Sequence, residues 1–424
     1  MAAATRAAEA GQQVGLVDDN PRIGGQIWRS PRGSSSLDTS HGEEASKWRQ
    51  RLMQTSVEQL QGWSIFAQPA PGQLLAESQE CDSFAEALEL SFDRLILATG
   101  ARERFLPFPG WTLPNVMGVG GLQAMLKGGL PIAGKRIVIA GSGPLLLAVA
   151  ATLKKAGGEV LHICEQAPLR QIAPFALSLL ADPGKLAQGI GYRLATLGVP
   201  FSINCWPVEA LGDTAIRSVV LSNNGRRQEI ACDYLACGFH LVPNTELASL
   251  LGCRIENDAV VVDDFQRTTV RDIFCAGEPT GIGGLEISLL EGEISGLTAA
   301  GKISDAESLL KRRRSMQRFS DRLFRAFRLR DELRKLSQPG TLVCRCEDVP
   351  FSALQHQPSW RAAKLHTRCG MGPCQGRVCG AAASFLFGFE EHSVRPPVLP
   401  ARIASLGSAA VLPLLEITDK QEIP

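Results

Sequence analysis

The sequence predicts an α/β chain of two dinucleotide-binding units, the second inserted into the first, followed by a small cysteine-rich domain. Three observations point to it. An apolar strand, a glycine turn and a helix succeed one another in K-R-I-V-I-A-G-S-G-P-L-L-L-A over residues 135–148, the order in which a phosphate-binding turn opens a dinucleotide-binding unit. Two more strand-to-glycine segments, L-I-L-A-T-G at 95–100 and I-F-C-A-G-E at 273–278, stand on either side of it. Five of the twelve cysteines, Cys344, Cys346, Cys369, Cys374 and Cys379, crowd into V-C-R-C-E-D-V and T-R-C-G-M-G-P-C-Q-G-R-V-C-G.

With 424 residues the chain is long enough for about two to four domains and a large buried core. A net charge of +1 and a hydrophobic content of 45% carry no global pull toward nucleic acid and exclude a disordered chain. No stretch reaches the roughly 18 apolar residues of a membrane span, and no signal peptide opens the sequence. The expected location is cytoplasmic, with a peripheral position at the inner membrane as its variant. The other cysteines, Cys81, Cys164, Cys205, Cys232, Cys237, Cys253 and Cys275, sit among apolar neighbours and fit reduced core thiols better than a disulfide framework.

Taken in order, M-A-A-A-T-R-A-A-E-A-G predicts an alanine-rich helix closed by glycine, and V-G-L-V-D-D a short strand ending in acids. Helix, strand and carboxylate make the second half of a dinucleotide-binding unit, where the acid accepts hydrogen bonds from the adenosine ribose. Counting from the helix selects Asp18; counting back from Gly24 selects Asp19. Two acids in a solvated turn are the plainer alternative. In the following N-P-R-I-G-G-Q, Gly24 and Gly25 would let the backbone pass close to a cofactor, with Gln26 beside them. Residues 30–44 predict a mobile surface loop, and residues 63–90 predict strands with a turn at Pro71-Gly72. Ala98-Thr99-Gly100 ends an apolar strand and precedes the proline-rich F-L-P-F-P-G-W.

The second unit reads as strand Ile137–Ala140, a turn with Gly141 and Gly143, a helix from about Pro144, strand Val160–Cys164 and the acid Glu165. Leu146 stands where the pattern has its third glycine, so the helix is expected to sit farther from the sheet. A working adenine-nucleotide site and a vestigial one are both open. Asn224-Gly225 between apolar runs predicts a hairpin. His240 reads as a loop histidine with a backbone partner rather than a catalytic group. Residues 311–335 predict a basic amphipathic helix, read first as a linker packing the outer unit against the cysteine-rich domain and second as a face for a membrane or an acidic partner. R-P-P-V-L-P-A at 395–401 is expected to be extended and to form a subunit contact.

Clustered thiols without a secretion signal suit metal before disulfides, and a C-x-C pair is tight for a structural zinc knuckle. A [2Fe-2S] cluster therefore stands ahead of zinc. The C-R-C-E-D-V and T-R-C-G-M-G-P-C-Q-G-R-V-C segments resemble the bacterioferritin-associated-ferredoxin-like [2Fe-2S] domain carried by α subunits of FAD-dependent amine and imino-acid dehydrogenases, of the opine oxidase, hydrogen cyanide synthase and proline or hydroxyproline dehydrogenase type. By that resemblance Cys344, Cys346, Cys374 and Cys379 are the ligands and Cys369 is left over. The spacing alone does not separate them, since Cys369–Cys374 and Cys374–Cys379 are equally far apart.

The order G-G-Q, A-T-G, G-S-G, A-G-E resembles two-dinucleotide-domain flavoproteins of the pyridine nucleotide-disulfide reductase type. It implies FAD at Asp18 or Asp19, Gly24, Gly25, Gln26, Thr99, Gly100, Gly277, Glu278, Gly283 and Gly284, with Glu278 on the ribitol chain, and an adenine nucleotide at Gly141, Gly143 and Glu165. Such proteins carry a strand and G-x-G-x-x-G immediately before the first helix. That first phosphate-binding motif is absent here, so the expected start lies upstream of Met1, and a chain that began at Met1 would lack part of its FAD site. Gln26-Ile27-Trp28 stand where disulfide reductases place redox cysteines, and no C-x-x-C occurs, which excludes disulfide exchange. The implied domains are 1–113 and 243–302 for FAD, 114–242 for the nucleotide-like insert, 303–338 for the linker, 339–395 for the [2Fe-2S] domain and 396–424 for a tail. The implied function is electron relay in oxidation of an amino or imino acid or opine, with an FAD-containing β subunit, small γ subunit and respiratory-chain acceptor as partners. The alternatives are an NAD(P)H-dependent reductase and a non-catalytic docking subunit. No catalytic acid or base stands out.

Overall fold

The computed structural model describes residues 1–28, 42–79, 87–390 and 394–409. Most of the loop expected at 30–44, and Cys81, lie outside the described residues. The alanine-rich start folds as helix Ala2–Glu9, with Ala2, Ala3, Ala4 and Ala7 buried. It lies against helix Leu285–Ala299, and small residues on both let the backbones meet: an added Cβ at Gly296 would stand 2.4 Å from Ala3 O. Strand Gly15–Asp18 pairs parallel with Glu58–Gln61, and Leu95–Leu97 pairs parallel with Ile273–Cys275. Among the described residues these are separate two-stranded sheets. Trp63–Ala67, Gln73–Ser78 and Leu88–Ser91 form an antiparallel sheet beside them.

The inserted unit has one continuous parallel sheet, in the order Phe201–Ile203, Glu159–Glu165, Arg136–Ser142, Tyr234–Phe239, Val116–Gly118. Its central strands are apolar on both faces because both faces are covered; Ile137, Val138, Ile139, Leu235, Ala236 and Cys237 are fully buried. Helix Leu145–Lys155 packs on this sheet. Leu146 occupies core space there, and the sheet makes room with Gly238, where an added Cβ would come within 3.1 Å of Val119 Cγ2 and 3.6 Å of Leu146 Cδ2. The expected hairpin forms between Ile216–Asn223 and Arg226–Ala231, with positive φ at Asn224 (50°) and Gly225 (81°), as a tight two-residue turn requires.

Helix Ile303–Ala326 is amphipathic as expected, but it packs chiefly on helices Leu285–Ala299 and Leu169–Ser178. Its apolar stripe explains this: Leu309 and Met316 join Leu290, Ile294 and Leu297, while Leu323 and Phe327 join Phe175 and Ala167. The helix ends before the expected Lys335; the last part of the expected span, the turn Asp331–Lys335, meets the cysteine domain, with Leu333 and Leu336 in the core around Phe108 and Trp111 that Val378 and Phe385 also join.

The cysteine domain has its own core of Val343, Val349, Leu354, Trp360, Ala363 and Ala383. It is fastened to strand Ala101–Glu103, which pairs antiparallel with Leu241–Pro243, and to the proline-rich segment that follows it. Trp111 Nε1 donates to Leu342 O at 2.6 Å, Arg102 Nε to Arg377 O at 3.0 Å, and Ser337 Oγ to Pro107 O at 2.8 Å. The 395–401 segment returns onto the outer unit, with Val398 N donating to Phe66 O at 2.8 Å and Val398 O accepting from Arg377 Nη2 at 2.6 Å. Among the described residues no helix is long and apolar enough to cross a membrane.

Candidate functional site

Strand Ile273–Cys275 delivers the chain to Gly277, whose φ of 80° turns it toward helix Leu285–Ala299. Gly277 N and Thr280 Oγ1 donate to Glu291 Oε2 at 3.0 and 3.1 Å. Arg313, from the long helix, donates to Glu291 Oε1 at 3.0 Å. Burial lifts the Glu291 carboxyl above its ordinary value even with Arg313 beside it. This buried pair locks the turn that presents Glu278.

Glu278 Oε1 accepts from Gly284 N at 2.8 Å, at the positive end of the helix. Its other oxygen, Oε2, is buried against the neighbouring Ser288 hydroxyl. Burial raises the Glu278 carboxyl, and the nearby Ser288 hydroxyl only tempers the rise. The carboxylate oxygens keep acceptor sites beyond these partners, and a ribitol chain offers hydroxyl donors, so this half of the site fits FAD. Gly283, Gly284 and the first turn of the helix, with Pro144 and Leu145 of the inserted unit, line a cavity of about 1100 Å³.

At the other half, Asp18 ends its strand and accepts from Asn20 N and Nδ2 at 2.9 and 3.0 Å. Asp19 is exposed and accepts from Asn20 Nδ2 at 2.7 Å. Gly24 and Gly25 both hold positive φ, 129° and 62°; Gln26 is exposed. Thr99 Oγ1 donates to Asn244 O at 2.6 Å, Asn244 Nδ2 donates back to Thr99 O at 2.9 Å, and Asn244 N donates to Gly100 O at 3.0 Å. Thr99 and Gly100 thus join the two passages between the units.

In the inserted unit, Glu165 is turned inward. Gly143 N donates to its Oε2 at 2.7 Å, and Ala167 N and Ser142 Oγ lie 2.8 and 3.2 Å from Oε1. The carboxyl is 1% exposed, and burial pushes it up to about 7. The carboxyl end of this sheet holds the chain's own Phe327 carbonyl, reached by Ser142 Oγ at 2.7 Å, Gln166 Nε2 at 3.3 Å and His240 Nε2 at 2.7 Å. Burial lowers the His240 ring to about 4, so it is neutral near pH 7 and has the expected backbone partner. Sequence reasoning missed this socket, the Glu291–Arg313 pair, and Glu103, whose carboxylate accepts from Gly120 N and Gly121 N at 2.7 and 2.9 Å. For Glu291 alone the sequence has a signal, a glutamate directly after the apolar run I-S-L-L; Glu103 between two arginines, Arg313 in K-R-R-R and a backbone carbonyl at Phe327 have none.

The cysteines gather in two groups. The sulfurs of Cys344, Cys369 and Cys379, all buried, lie within 4.8 Å of one another. Cys346, exposed, and Cys374, half-buried, hydrogen-bond to each other. Cys369 and Cys379 both bond to Cys344, and with the Gly370 and Glu347 amides they hold its thiol far below the ordinary range; Cys369 is pushed up to about 12 and Cys379 higher still. The loop reaches Cys346 only because residue 372 is glycine: an added Cβ would stand 2.4 Å from Cys346 Cβ. An all-thiol donor set in two groups fits a [2Fe-2S] cluster. Cys369, left over by the resemblance, is part of the buried group. A further buried trio, His162, Cys164 and Cys205, also lies within 4.8 Å.

The pyridine nucleotide-disulphide oxidoreductase family matches residues 1–300. The chain is similar to an opine oxidase subunit of Rhizobium meliloti (strain 1021), 31% identical with 96% of this chain and 94% of that protein covered. It is likewise similar to hydrogen cyanide synthase subunit HcnB of Pseudomonas protegens, 30% identical over 89% of this chain and 87% of that protein. Among solved structures, L-proline dehydrogenase from P. horikoshii superposes with a TM-score of 0.66 at 15% identity, over 96% of this chain and 77% of that one. Thioredoxin reductase from T. acidophilum does so with 0.53 at 19% identity, over 71% and 94%; both likenesses speak for the fold. The chain belongs to the pyridine nucleotide-disulphide oxidoreductase family and is a flavin oxidoreductase.

Proposed function

We propose that this chain is the FAD- and [2Fe-2S]-bearing subunit of a heteromeric dehydrogenase or oxidase that acts on the CH–NH bond of an amino or imino acid or an opine. One observation carries the reading: an all-thiol group of five cysteines stands in a domain that is hydrogen-bonded to the flavin-type part of the same chain through Arg102, Pro107 and Trp111. The near-full-length similarity to the Rhizobium meliloti opine oxidase subunit supports it. Gly277, Glu278, Gly283 and Gly284 would hold the flavin's ribitol and ring side, with Asp18 or Asp19, Gly24, Gly25, Gln26, Thr99 and Gly100 toward the adenosine side. Cys344, Cys346, Cys374 and Cys379 would hold the cluster. When bound, a flavin takes two electrons as a hydride and a [2Fe-2S] cluster carries one at a time, so together they split the pair.

Two helices of the insert, Leu169–Ser178 and Pro183–Ala195, bury no residue, which agrees with a partner protein covering them. Between them and their flanks Leu169, Leu177, Leu180, Ile190 and Leu194 are exposed, apolar side chains that a partner could bury. The test is a visible spectrum of the chain co-purified with the subunit encoded beside it. Flavin and cluster bands bleached by an opine or cyclic imino acid only with the partner present are the expected result; a chain without flavin or iron overturns the proposal. A second reading, an NAD(P)H-dependent reductase, is favoured by the cavity between Pro144 and Gly283–Gly284. Bleaching by NADH without the partner would select it.

A further inference from the structure

The cysteine cluster has one thiol too many for its chemistry. A [2Fe-2S] cluster takes four thiolates, two on each iron, and five cysteines are present. Their distribution is uneven. The exposed side has Cys346 and Cys374 only, whereas the buried side has Cys344, Cys369 and Cys379 mutually within 4.8 Å. Cys369 is fully buried and Cys379 is 2% exposed, so neither is excluded by solvent or by distance. Cys344 is fixed by its strand, Leu342–Cys344, and is tied through the single residue Arg345 to Cys346 on the other side. Cys369 and Cys379 both hydrogen-bond to Cys344, and they arrive from different elements, the loop after helix Trp360–Thr367 and the start of helix Cys379–Phe387.

We propose that Cys369 belongs to the cluster's ligand sphere and is interchangeable with Cys379, the two competing for the second thiolate position on the buried iron beside Cys344. This rests on the [2Fe-2S] reading above. Exchange needs no redox partner: the incoming thiol loses its proton as the outgoing thiolate gains one, and iron keeps two cysteine sulfurs throughout. Cys374 has no such understudy, because the exposed side has no third thiol among the described residues. The loop that carries Cys369 is also anchored independently of metal, by Arg368 Nε on Glu347 Oε2 at 2.7 Å and by Gly370, where an added Cβ would strike the Trp360 ring at 2.6 Å. Cys369 therefore stays beside Cys344 whether or not it ligates.

The test compares iron and acid-labile sulfide per chain, and the visible and electron paramagnetic resonance spectra after dithionite, in wild type, Cys379→Ala, Cys374→Ala and Cys369→Ala/Cys379→Ala. Cys379→Ala is expected to keep most of its iron with shifted g-values, while the other two variants lose it. Loss of iron in Cys379→Ala as complete as in the double variant overturns the proposal. Should alanine at 379 unfold the helix start, seen by far-ultraviolet circular dichroism, Cys379→Ser replaces it. Cys369 then keeps the bands of an all-thiolate cluster, and bands that move to shorter wavelength already in Cys379→Ser overturn the proposal. Wild type without iron or sulfide overturns the cluster reading itself, and this inference with it.

Discussion

The two dinucleotide units treat their acids in opposite ways. In the inserted unit, Glu165 has both oxygens bonded to the protein's own Gly143, Ala167 and Ser142. In the outer unit, Glu278 has one oxygen on Gly284 and the other buried against the Ser288 hydroxyl. A carboxylate oxygen has more than one acceptor site, so Glu278 keeps acceptor capacity beside Ser288 for hydroxyls that come from elsewhere. One unit closes on itself and on Phe327; the other keeps room for a guest.

The largest effect expected is at Glu291. Glu291→Ala leaves Arg313, 14% exposed, with only its longer contact to Asp264 Oδ1 at 3.4 Å, removes the acceptor of Gly277 N, and should cost about 3 kcal/mol, read by urea denaturation, with flavin lost in parallel. An equal stability loss in Glu278→Ala would break the comparison, because Glu278 would then be structural too. Glu165 sharpens it through pH. Its folded value, about 7, lies above the ordinary 4.5, so the folded chain holds a proton that the unfolded chain has released. Stability from this group is fully present below about pH 4.5, falls as pH rises toward 7, and is level above, a span of roughly 3 kcal/mol. His240, lowered from 6.5 to about 4, works the other way: its contribution is present above 6.5 and lost as pH falls toward 4. In Glu165→Gln the melting temperature should therefore climb from pH 4.5 to 7 more steeply than in wild type. Parallel profiles would show that Glu165 does not titrate there.

Much of this was legible from local chemistry. The strand–turn–helix of Gly141–Gly143, the Asn224-Gly225 hairpin and the alanine-rich helix follow from dihedral preference and hydrophobic period, which act over a few residues. The five cysteines announced themselves by ligand type and spacing. What stayed hidden depends on contacts between residues far apart in sequence. Nothing near Phe327 says that its carbonyl meets Ser142, Gln166 and His240, and nothing near Arg313 says that it answers Glu291. The equal spacing of Cys369, Cys374 and Cys379 could not tell which sulfurs face one another; the fold of the loop around Gly370 and Gly372 decides that. The long basic helix showed its apolar stripe but not its neighbours, and its packing went to Phe175 and Leu290 instead of the cysteine domain.

Smaller effects probe the guest sites directly. Glu278→Ala removes a charge-assisted partner and should weaken FAD retention by about 10–100-fold, on the order of 1.5–3 kcal/mol, in a flavin fluorescence titration, while Glu165→Ala leaves retention unchanged. If both variants lose FAD alike, the Glu278 carboxylate has no special part in holding it.

The smallest expected effect concerns the inserted unit. An adenine nucleotide approaching Gly141–Gly143 meets the segment that begins at Phe327, which fills the carboxyl end of the sheet where such ligands bind in this type of fold. Its apparent affinity is then scaled by the fraction of molecules with that segment lifted. Phe327→Ala removes the ring that packs edge-on to Phe175 at 5.8 Å between centroids, loosens the seat, and should tighten ADP binding about tenfold, or roughly 1.4 kcal/mol, by isothermal titration. Unchanged affinity would mean that nucleotide and segment use different ground, with the cavity beside Pro144 as the place for the nucleotide. The fully paired Glu165 would then describe how the sheet end is closed without describing what the unit can bind, and the contrast with Glu278 would hold for one cofactor only.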